Sequence, residues 1–339
     1  MALRKFGVDL GTNTIKIYQK DQGLVLDEHN TIAISNGKVF AIGNEAYEMY
    51  ERNPEEIEII FPVNNGVIAD VANMILLINN FMNKINGNKR IGTSDFIIAT
   101  PTDITEVEKR AFYELIANSN LRAGNIKIAE KPIADALGLG LDITNAHGVM
   151  LVNIGADTTE ISVLSLGGIV LSKLVPVGGN KLDESIQTTI KKNHNLFIGS
   201  KTAELIKREL SSAVTIDDKS IEIFGRHVVT GLPTKVEITS MDVYEAISEH
   251  LFTIIDSIKS ILERTPPEMS SDIIEGGIHI TGGSAKIRNL DLLISKETNL
   301  KTNISKEPSD SVVKGLGEIL ENAQFVNLSS TLKPLTLNS

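Results

Sequence analysis

The chain is 339 residues long, carries Lys+Arg 33 against Asp+Glu 43 for a formal charge of −10, and has no cysteine. That length suggests two or more domains with a substantial core, and 42% apolar with 22% charged residues describes a soluble globular protein, not a disordered one. Without cysteine, disulfides, thiolate nucleophiles and Cys-ligated zinc are excluded and the cytoplasm fits best, while the acidic balance argues against nucleic acid, whose backbone needs a concentrated basic face.

The histidines (His29, His147, His194, His227, His250, His279) are scattered without metal-ligand spacing. No run of 18 apolar residues occurs, and the N-terminus enters a strand pattern directly, so neither a signal peptide nor a membrane span is expected. In chain order, residues 6 to 18 and 23 to 35 alternate like strands. Ile68, Val71, Ile75, Ile78, Met82 and Ile85 then form a helical stripe, read as core-facing in preference to membrane-surface. Phe96–Ala99 is a buried strand stopped by Pro101, and Thr105 with Glu108 forms a capping box for a helix running to about Asn118. Met150 to Ser165 reads as two strands around a turn, followed by a third ending near Val177. Helices follow at about 181 to 194, 201 to 213 and 241 to 264, the last stopped by Pro266 and Pro267. Ile278–Ile280 is a strand leading into Thr281-Gly282-Gly283, with a helix starting near Lys286. The last helix is expected from an N-cap at Ser309 to about Asn322, with a loose tail after Phe325.

Strand and helix patterns alternating from end to end predict an α/β protein. An internal repeat sharpens this. Val8-Asp9-Leu10-Gly11-Thr12-Asn13-Thr14-Ile15 returns 144 positions later (152 − 8) as Val152-Asn153-Ile154-Gly155-Ala156-Asp157-Thr158-Thr159. Each copy is a buried strand, an acid or amide, a Gly/Thr turn and a returning strand, which predicts two duplicated α/β domains around a cleft. Such turns aim backbone N–H groups and hydroxyls at one spot and make an anion nest, although many hairpins carry Gly and Thr for geometry alone. A third element, Thr281-Gly282-Gly283-Ser284-Ala285, lets a flat or charged ligand approach the backbone. A fourth, Glu204-Leu205-Ile206-Lys207, puts a carboxylate and an ammonium at i and i+3, either to grip a ribose and base edge or as a solvated ion pair.

These four elements, in this order, resemble the superfamily of actin, sugar kinases and heat-shock chaperone ATPases. Pro62-x-x-x-Gly66-Val67-Ile68-Ala69-Asp70, Gly231-Leu232-Pro233 and the segment from Thr265-Pro266-Pro267-Glu268 through Asp272 to Glu275 narrow the resemblance to the MreB family of bacterial actins, over nearly the whole chain. The resemblance implies an actin-like fold of four subdomains around an ATP/ADP cleft, and head-to-tail assembly into protofilaments, often paired and membrane-associated. By position, Thr12, Asn13 and Thr14 belong to the first phosphate turn, and Gly155, Ala156, Asp157 and Thr158 to the second. Glu204 and Lys207 fall on the nucleoside-binding helix, Gly282, Gly283, Ser284 and Ala285 on the adenosine motif, and Gly178 and Gly179 on the cleft floor. Asp9 matches the carboxylate that holds Mg²⁺, commonly through water.

The departures cluster where hydrolysis should occur. The family's Glu-Glu-Pro stands here as Glu130-Lys131-Pro132, which puts an ammonium where the water-orienting carboxylate is expected. An ammonium only donates, so it cannot accept the water's proton. The second turn reads Asn153-Ile154-Gly155-Ala156-Asp157-Thr158, losing one carboxylate at Asn153 and gaining another at Asp157, where glycine normally approaches phosphate. A Lys131–Asp157 charge pair across the vacated position is one expectation, and independent drift into solvent the other. Catalytic candidates are therefore the degenerate position Lys131, Thr158, and Glu130 as a substitute acceptor that sits one residue off.

The expected layout is 1–31, 62–146 and 309–330 as one large subdomain with 32–61 inserted, 147–180 and 240–308 as the other with 181–239 inserted, and 331–339 as a loose tail. The expected function is an ATP-binding, filament-forming, cell-shape cytoskeletal protein with weak or absent hydrolysis. The alternatives are an active filament ATPase using Glu130 or a rearranged water, and a stand-alone ATPase domain that does not polymerise. Expected partners are further copies of itself and other cytoskeletal or membrane-linked shape proteins. The loop 86–93 offers one large apolar residue and is read first as solvated; the alternative is weak peripheral membrane contact in which Lys84, Lys89 and Arg90 attract anionic lipid.

Overall fold

The computed structural model describes residues 3–87, 92–214 and 218–332. They divide into two compact units, the first drawn from Met1–His147, Leu164–Val170 and Ser309–Ser339, the second from Gly148–Val163 and Leu171–Pro308.

In the first unit a five-stranded sheet runs in the order Ala123–Glu130, Ser94–Thr100, Arg4–Leu10, Thr14–Gln19, Gly23–His29. Its first three strands are parallel and the remaining two join as antiparallel hairpins. The other five-stranded sheet, which belongs to the second unit except for the hairpin end Leu164–Val170, has the order Thr302–Ile304, Ile278–Thr281, Val149–Ile154, Thr159–Ser165, Gly168–Val175 and repeats the plan, with the first three again parallel. Val8 pairs with Ile98 and Val152 with Ile280, so the sequence repeat carries the same register role in both sheets. Both strands are buried on both faces, as parallel pairing under helices requires. Two three-stranded sheets accompany them: Lys38–Ile42, Ile32–Ser35 and Ile57–Ile60 in the first unit, and Leu196–Phe197, Ser220–His227 and Pro233–Thr239 in the second.

Several helices follow the sequence signals closely. Glu106–Ala117 opens on the Thr105/Glu108 capping box, and Ser240–Arg264 opens on a second such box, Thr239/Asp242, before ending at Thr265. The helix Val71–Ile85 starts later than its stripe suggests. Asp70 caps it by accepting from the Asn73 N–H at 3.0 Å, which leaves Ile68 in a preceding strand and Val71 exposed. The buried face is therefore Met74, Leu77, Ile78, Phe81 and Met82, rotated from the predicted one.

Three expectations change. The glycine turn at 282–283 leads into a short 3₁₀ helix, Gly283–Lys286, and the α-helix begins only at Leu290. The last helix, Ser311–Glu321, is preceded by Asp310, not Ser309, and makes no side-chain cap, because the Asp310 carboxylate is engaged with the buried Lys16 ammonium. Burial alone would lower the Lys16 pKa, but Asp310 and Asp27 outweigh it and raise it. After Phe325 the chain is held, not loose: Ala323–Leu328 is 3₁₀, and Ser330 exchanges backbone hydrogen bonds of 2.8 and 2.9 Å with Ile128. The loose tail expected at 331–339 falls, from 333 on, outside the described residues, as do Lys89 and Arg90 of the loop 86–93. Lys84 is described, and its ammonium pairs with Glu28.

The helix that carries Lys131, Lys131–Gly138, lies against Ser311–Glu321 at a contact made by glycine. A Cβ on Gly315 would stand 1.6 Å from the Ala134 carbonyl oxygen, and one on Gly138 would stand 1.8 Å from that of Ser311. Only glycine on each helix permits this approach.

Candidate functional site

The first turn is closed by Gly11 N–H donating to the Thr14 carbonyl at 2.9 Å, and the second by Gly155 N–H donating to that of Thr158 at 2.9 Å. The same bond thus recurs at the repeat's spacing. A Cβ would stand 2.9 Å from the Thr14 oxygen at Gly11 and 3.0 Å from the Thr158 oxygen at Gly155, which accounts for glycine at both places.

In the first unit, Asn30 braces the turn. Its Nδ2 donates to the Gly11 carbonyl at 2.8 Å and its backbone N–H to that of Asn13 at 2.9 Å, while the residue itself is fully buried. Because a trans peptide points its N–H opposite to its C=O, tying these carbonyls inward turns the Thr12 and Thr14 N–H groups the other way. Asp9 is the next-to-last residue of the strand that leads into this turn, its side chain is 13% exposed, and the Lys131 ammonium stands 3.4 Å from its Oδ1. That oxygen accepts no hydrogen bond, so the contact is an ion pair without hydrogen-bond geometry. Lys131 is the first residue of its helix, the end that disfavours a cation, and Asp9 supplies the compensating charge. Glu130 stands at the N-cap position of the same helix in extended conformation without a side-chain cap; its carboxylate lies 3.9 Å from the Lys109 ammonium and is 41% exposed.

In the second unit the predicted residues knit together. The Gly155 carbonyl accepts from Gly179 N–H and from Ser284 Oγ, each at 3.0 Å, and the Ala156 carbonyl accepts from Asn180 N–H at 2.7 Å. The helix Gly179–His194 is thereby capped by the turn, and the Ala156 and Asp157 N–H groups face away from it. Asp157 Oδ1 accepts from Asn180 Nδ2 at 2.8 Å. Lys131 and Asp157 thus each have a partner inside their own unit, and the charge that Lys131 was expected to find on Asp157 comes from Asp9. Gly178 has no room for a side chain, since a Cβ there would lie 2.5 Å from the Ala156 oxygen. Gly282, at φ +84°, would place one 2.3 Å from the Ile154 oxygen, whereas Gly283 opens onto free space. Ser284 and Ala285 are buried beneath it.

Glu204 and Lys207 separate instead of acting as an i, i+3 pair. Glu204 binds Arg208 at 2.6 Å, and Lys207 donates to the Gly179 carbonyl at 2.8 Å and to Asp183 Oδ2 at 2.6 Å. Asp183, Asn180 and Asn30 were missed by sequence reasoning. Asp183 had a signal: it shares a helical face with the buried Ile186 and Ile190, an odd place for a carboxylate. Burial pushes its pKa from 3.8 up to about 6, with Lys207 only partly opposing the shift and Glu204 reinforcing it. Because the folded value lies above the unfolded one, this contribution to stability is present below about pH 4 and is lost as pH rises through about 6. Asp183→Asn should therefore remove a slope of order 2–3 kcal/mol in unfolding free energy across that window. Urea denaturation from pH 4 to 7 checks it, and an unchanged slope in the variant would contradict the assignment.

The residues suit a nucleotide better than a metal. Each unit presents an anion-directed turn, and the second adds an open Gly283 and the Lys207 ammonium, the features that a phosphate-bearing ligand requires. The one matching carboxylate for a cation, Asp9, already carries an ammonium, and its repeat partner is the uncharged Asn153. The described residues hold no group of three or more His, Asp or Glu side chains that could hold a metal. These residues do not fit a dedicated Mg²⁺ site.

Comparison with known proteins agrees with this plan. The family described as MreB/Mbl protein matches residues 3–327. The cell shape-determining protein Mbl of Bacillus subtilis is 38% identical over 325 residues, covering 95% of this chain and 97% of Mbl. The crystal structure of MreB5 of Spiroplasma citri bound to ADP superposes with a TM-score of 0.89 at 30% identity, over 94% of this chain and 96% of MreB5. The same protein bound to AMPPNP gives 0.89 at 29% identity, over 96% of this chain and 98% of that one. The MamK double helical filament shares the fold, with a TM-score of 0.78 at 20% identity over 95% of this chain and 99% of that one. The duplicated sheets are thus those of the actin-like fold, and the chain belongs to the MreB/Mbl family.

Proposed function

We propose that the chain binds an adenine nucleotide, assembles with copies of itself into filaments that serve cell shape, and hydrolyses the nucleotide slowly. The observation that carries the nucleotide reading is the pair of turns closed by the same hydrogen bond 144 residues apart, each with a glycine closely approached by the carbonyl that closes it. MreB5, with the same fold, is bound to ADP in one structure and AMPPNP in another, and Mbl is named as cell shape-determining. Thr12, Asn13, Thr14, Gly155, Ala156, Asp157 and Thr158 would face the phosphates. Gly178 and Gly179 would form the floor, and Glu204, Lys207 and Gly282 to Ala285 would serve the nucleoside. The small sheets at 32–60 and 196–239 would be the inserted subdomains of the four-part layout.

Slow hydrolysis follows from Lys131. A donor-only group at the position of a water-orienting acceptor, held on Asp9, leaves the attacking water without a base. An active ATPase working through Glu130 has less support, because that carboxylate is turned toward Lys109 and solvent. No described helix is long and apolar enough to cross a membrane, and we place the filaments in the cytoplasm with at most peripheral membrane contact. Sedimentation of the purified chain with and without ATP tests assembly: a filament-forming chain gives an ATP-dependent pellet, and a monomer at micromolar concentration in both conditions favours the stand-alone ATPase domain.

A further inference from the structure

We infer that the Lys131 ammonium is a built-in counter-ion that takes the place of Mg²⁺ at Asp9, so that this chain holds its nucleotide with little dependence on a divalent cation. The inference rests on the nucleotide-binding reading and adds a property of the same site. Mg²⁺ at a phosphate site is ordinarily held by one or two carboxylates, often through water, and by the phosphates themselves. Here the carboxylate that the repeat places at the end of its strand occurs once, as Asp9, because the corresponding position 153 is asparagine. Lys131 Nζ stands 3.4 Å from Asp9 Oδ1, with the two side chains only 17% and 13% exposed.

Two positive centres cannot share that oxygen cheaply at low exposure. A hydrated Mg²⁺ would have to displace the ammonium, which would then remain at a helix N-terminus, the end where positive charge is least favourable. The ammonium's alternatives are poor as well. Glu130, its chain neighbour, is engaged with Lys109 and points to solvent. The Lys131 backbone is fixed between the Glu130 cap and Pro132, and its helix is locked by the glycine contact with Ser311–Glu321. The ammonium thus stands at Asp9, two residues before Gly11 of the first turn. There it supplies the single positive charge that a phosphate beside Gly11–Thr14 needs, as a point-charge donor without coordination geometry. One exchange therefore has two effects: it removes the water-orienting acceptor and it weakens the demand for the metal.

The test is ATP affinity of the full chain, measured by calorimetric titration in excess Mg²⁺ and again in EDTA, for the parent and Lys131→Met. The parent should change by less than about threefold, and Lys131→Met should weaken by about tenfold or more when Mg²⁺ is removed, about 1.4 kcal/mol. A parent that loses tenfold in EDTA overturns the inference without recourse to any variant. A parent that binds ATP in neither buffer overturns the nucleotide reading instead. A nucleotide-free arm then still decides the local point. Lys131→Glu places a carboxylate near Asp9 and should melt at a higher temperature with Mg²⁺ than without it, whereas the parent should not respond. An equal Mg²⁺ response in both proteins overturns the inference.

Discussion

Glutamate in place of Lys131 is expected to raise ATP-driven phosphate release by at least about tenfold, toward the hundredfold or more that a positioned general base contributes. The site needs little else. The helix that carries position 131 begins there, so a carboxylate would gain from the helix dipole where the ammonium loses. Asp9 would be released from its present partner and become available to a metal, which the new pair of carboxylates would favour. Asp157 is the smaller obstacle, since Asn180 already holds its Oδ1 at 2.8 Å. Adding Asp157→Gly to the exchange should therefore increase the rate less than the exchange itself does. Steady-state phosphate release by the parent, the single variant and the double variant checks both statements. A rate unchanged in both variants would show that position 131 does not limit hydrolysis.

The second large effect is on stability. Gly315→Ala should destabilise the first unit by at least about 3 kcal/mol, the upper end of ordinary overpacking costs, because the new methyl would sit 1.6 Å from a backbone oxygen that has nowhere to yield. For a unit of this size that corresponds to a fall of about 6–12 °C in melting temperature. The neighbours explain why relaxation is difficult. Gly317 lies against the Tyr18 ring, where a Cβ would come within 2.7 Å, and a Cβ on Gly7 would meet Leu316 Cβ at 2.7 Å, so the whole helix is seated on the sheet by small residues. Circular dichroism melts of parent and variant decide the matter, and a shift of a degree or two would mean that the helix pair can separate without cost. Because Lys131 rides on the partner helix, the same substitution should also disturb the Asp9 contact.

Much of the fold was legible in the sequence because the strongest signals are local and repeated. The strand-turn-strand motif occurs twice, and the Thr105 box marks a helix start with chemistry that leaves few alternatives, whereas the like box at Thr239 emerged only in the structure. What was not legible depends on partners far along the chain. Asp310 commits its carboxylate to Lys16, 294 positions away, and so makes no side-chain cap for the helix it precedes. Ser330 is fixed by Ile128, which no pattern in the tail announces. The site shows the same division. Motif positions such as Gly178 and Gly282 fell where the turns need them, because close backbone approach admits only glycine. Charge partners did not: Lys131 pairs with Asp9, and Lys207 with Asp183 in preference to Glu204, because burial and distance decide a pairing that sequence spacing can only suggest.

Whether this MreB/Mbl family chain holds its nucleotide far more readily than it cleaves it can be read from phosphate release in polymer assembled with ATP and collected by sedimentation. We predict an ATP-dependent pellet in which, over an hour, less than one phosphate is released for each protomer, on the order of 10⁻⁴ s⁻¹ or slower, the scale of a nucleotide site that lacks part of its catalytic complement. Repeated turnover within that hour by the parent chain, with Lys131 in place, would refute it.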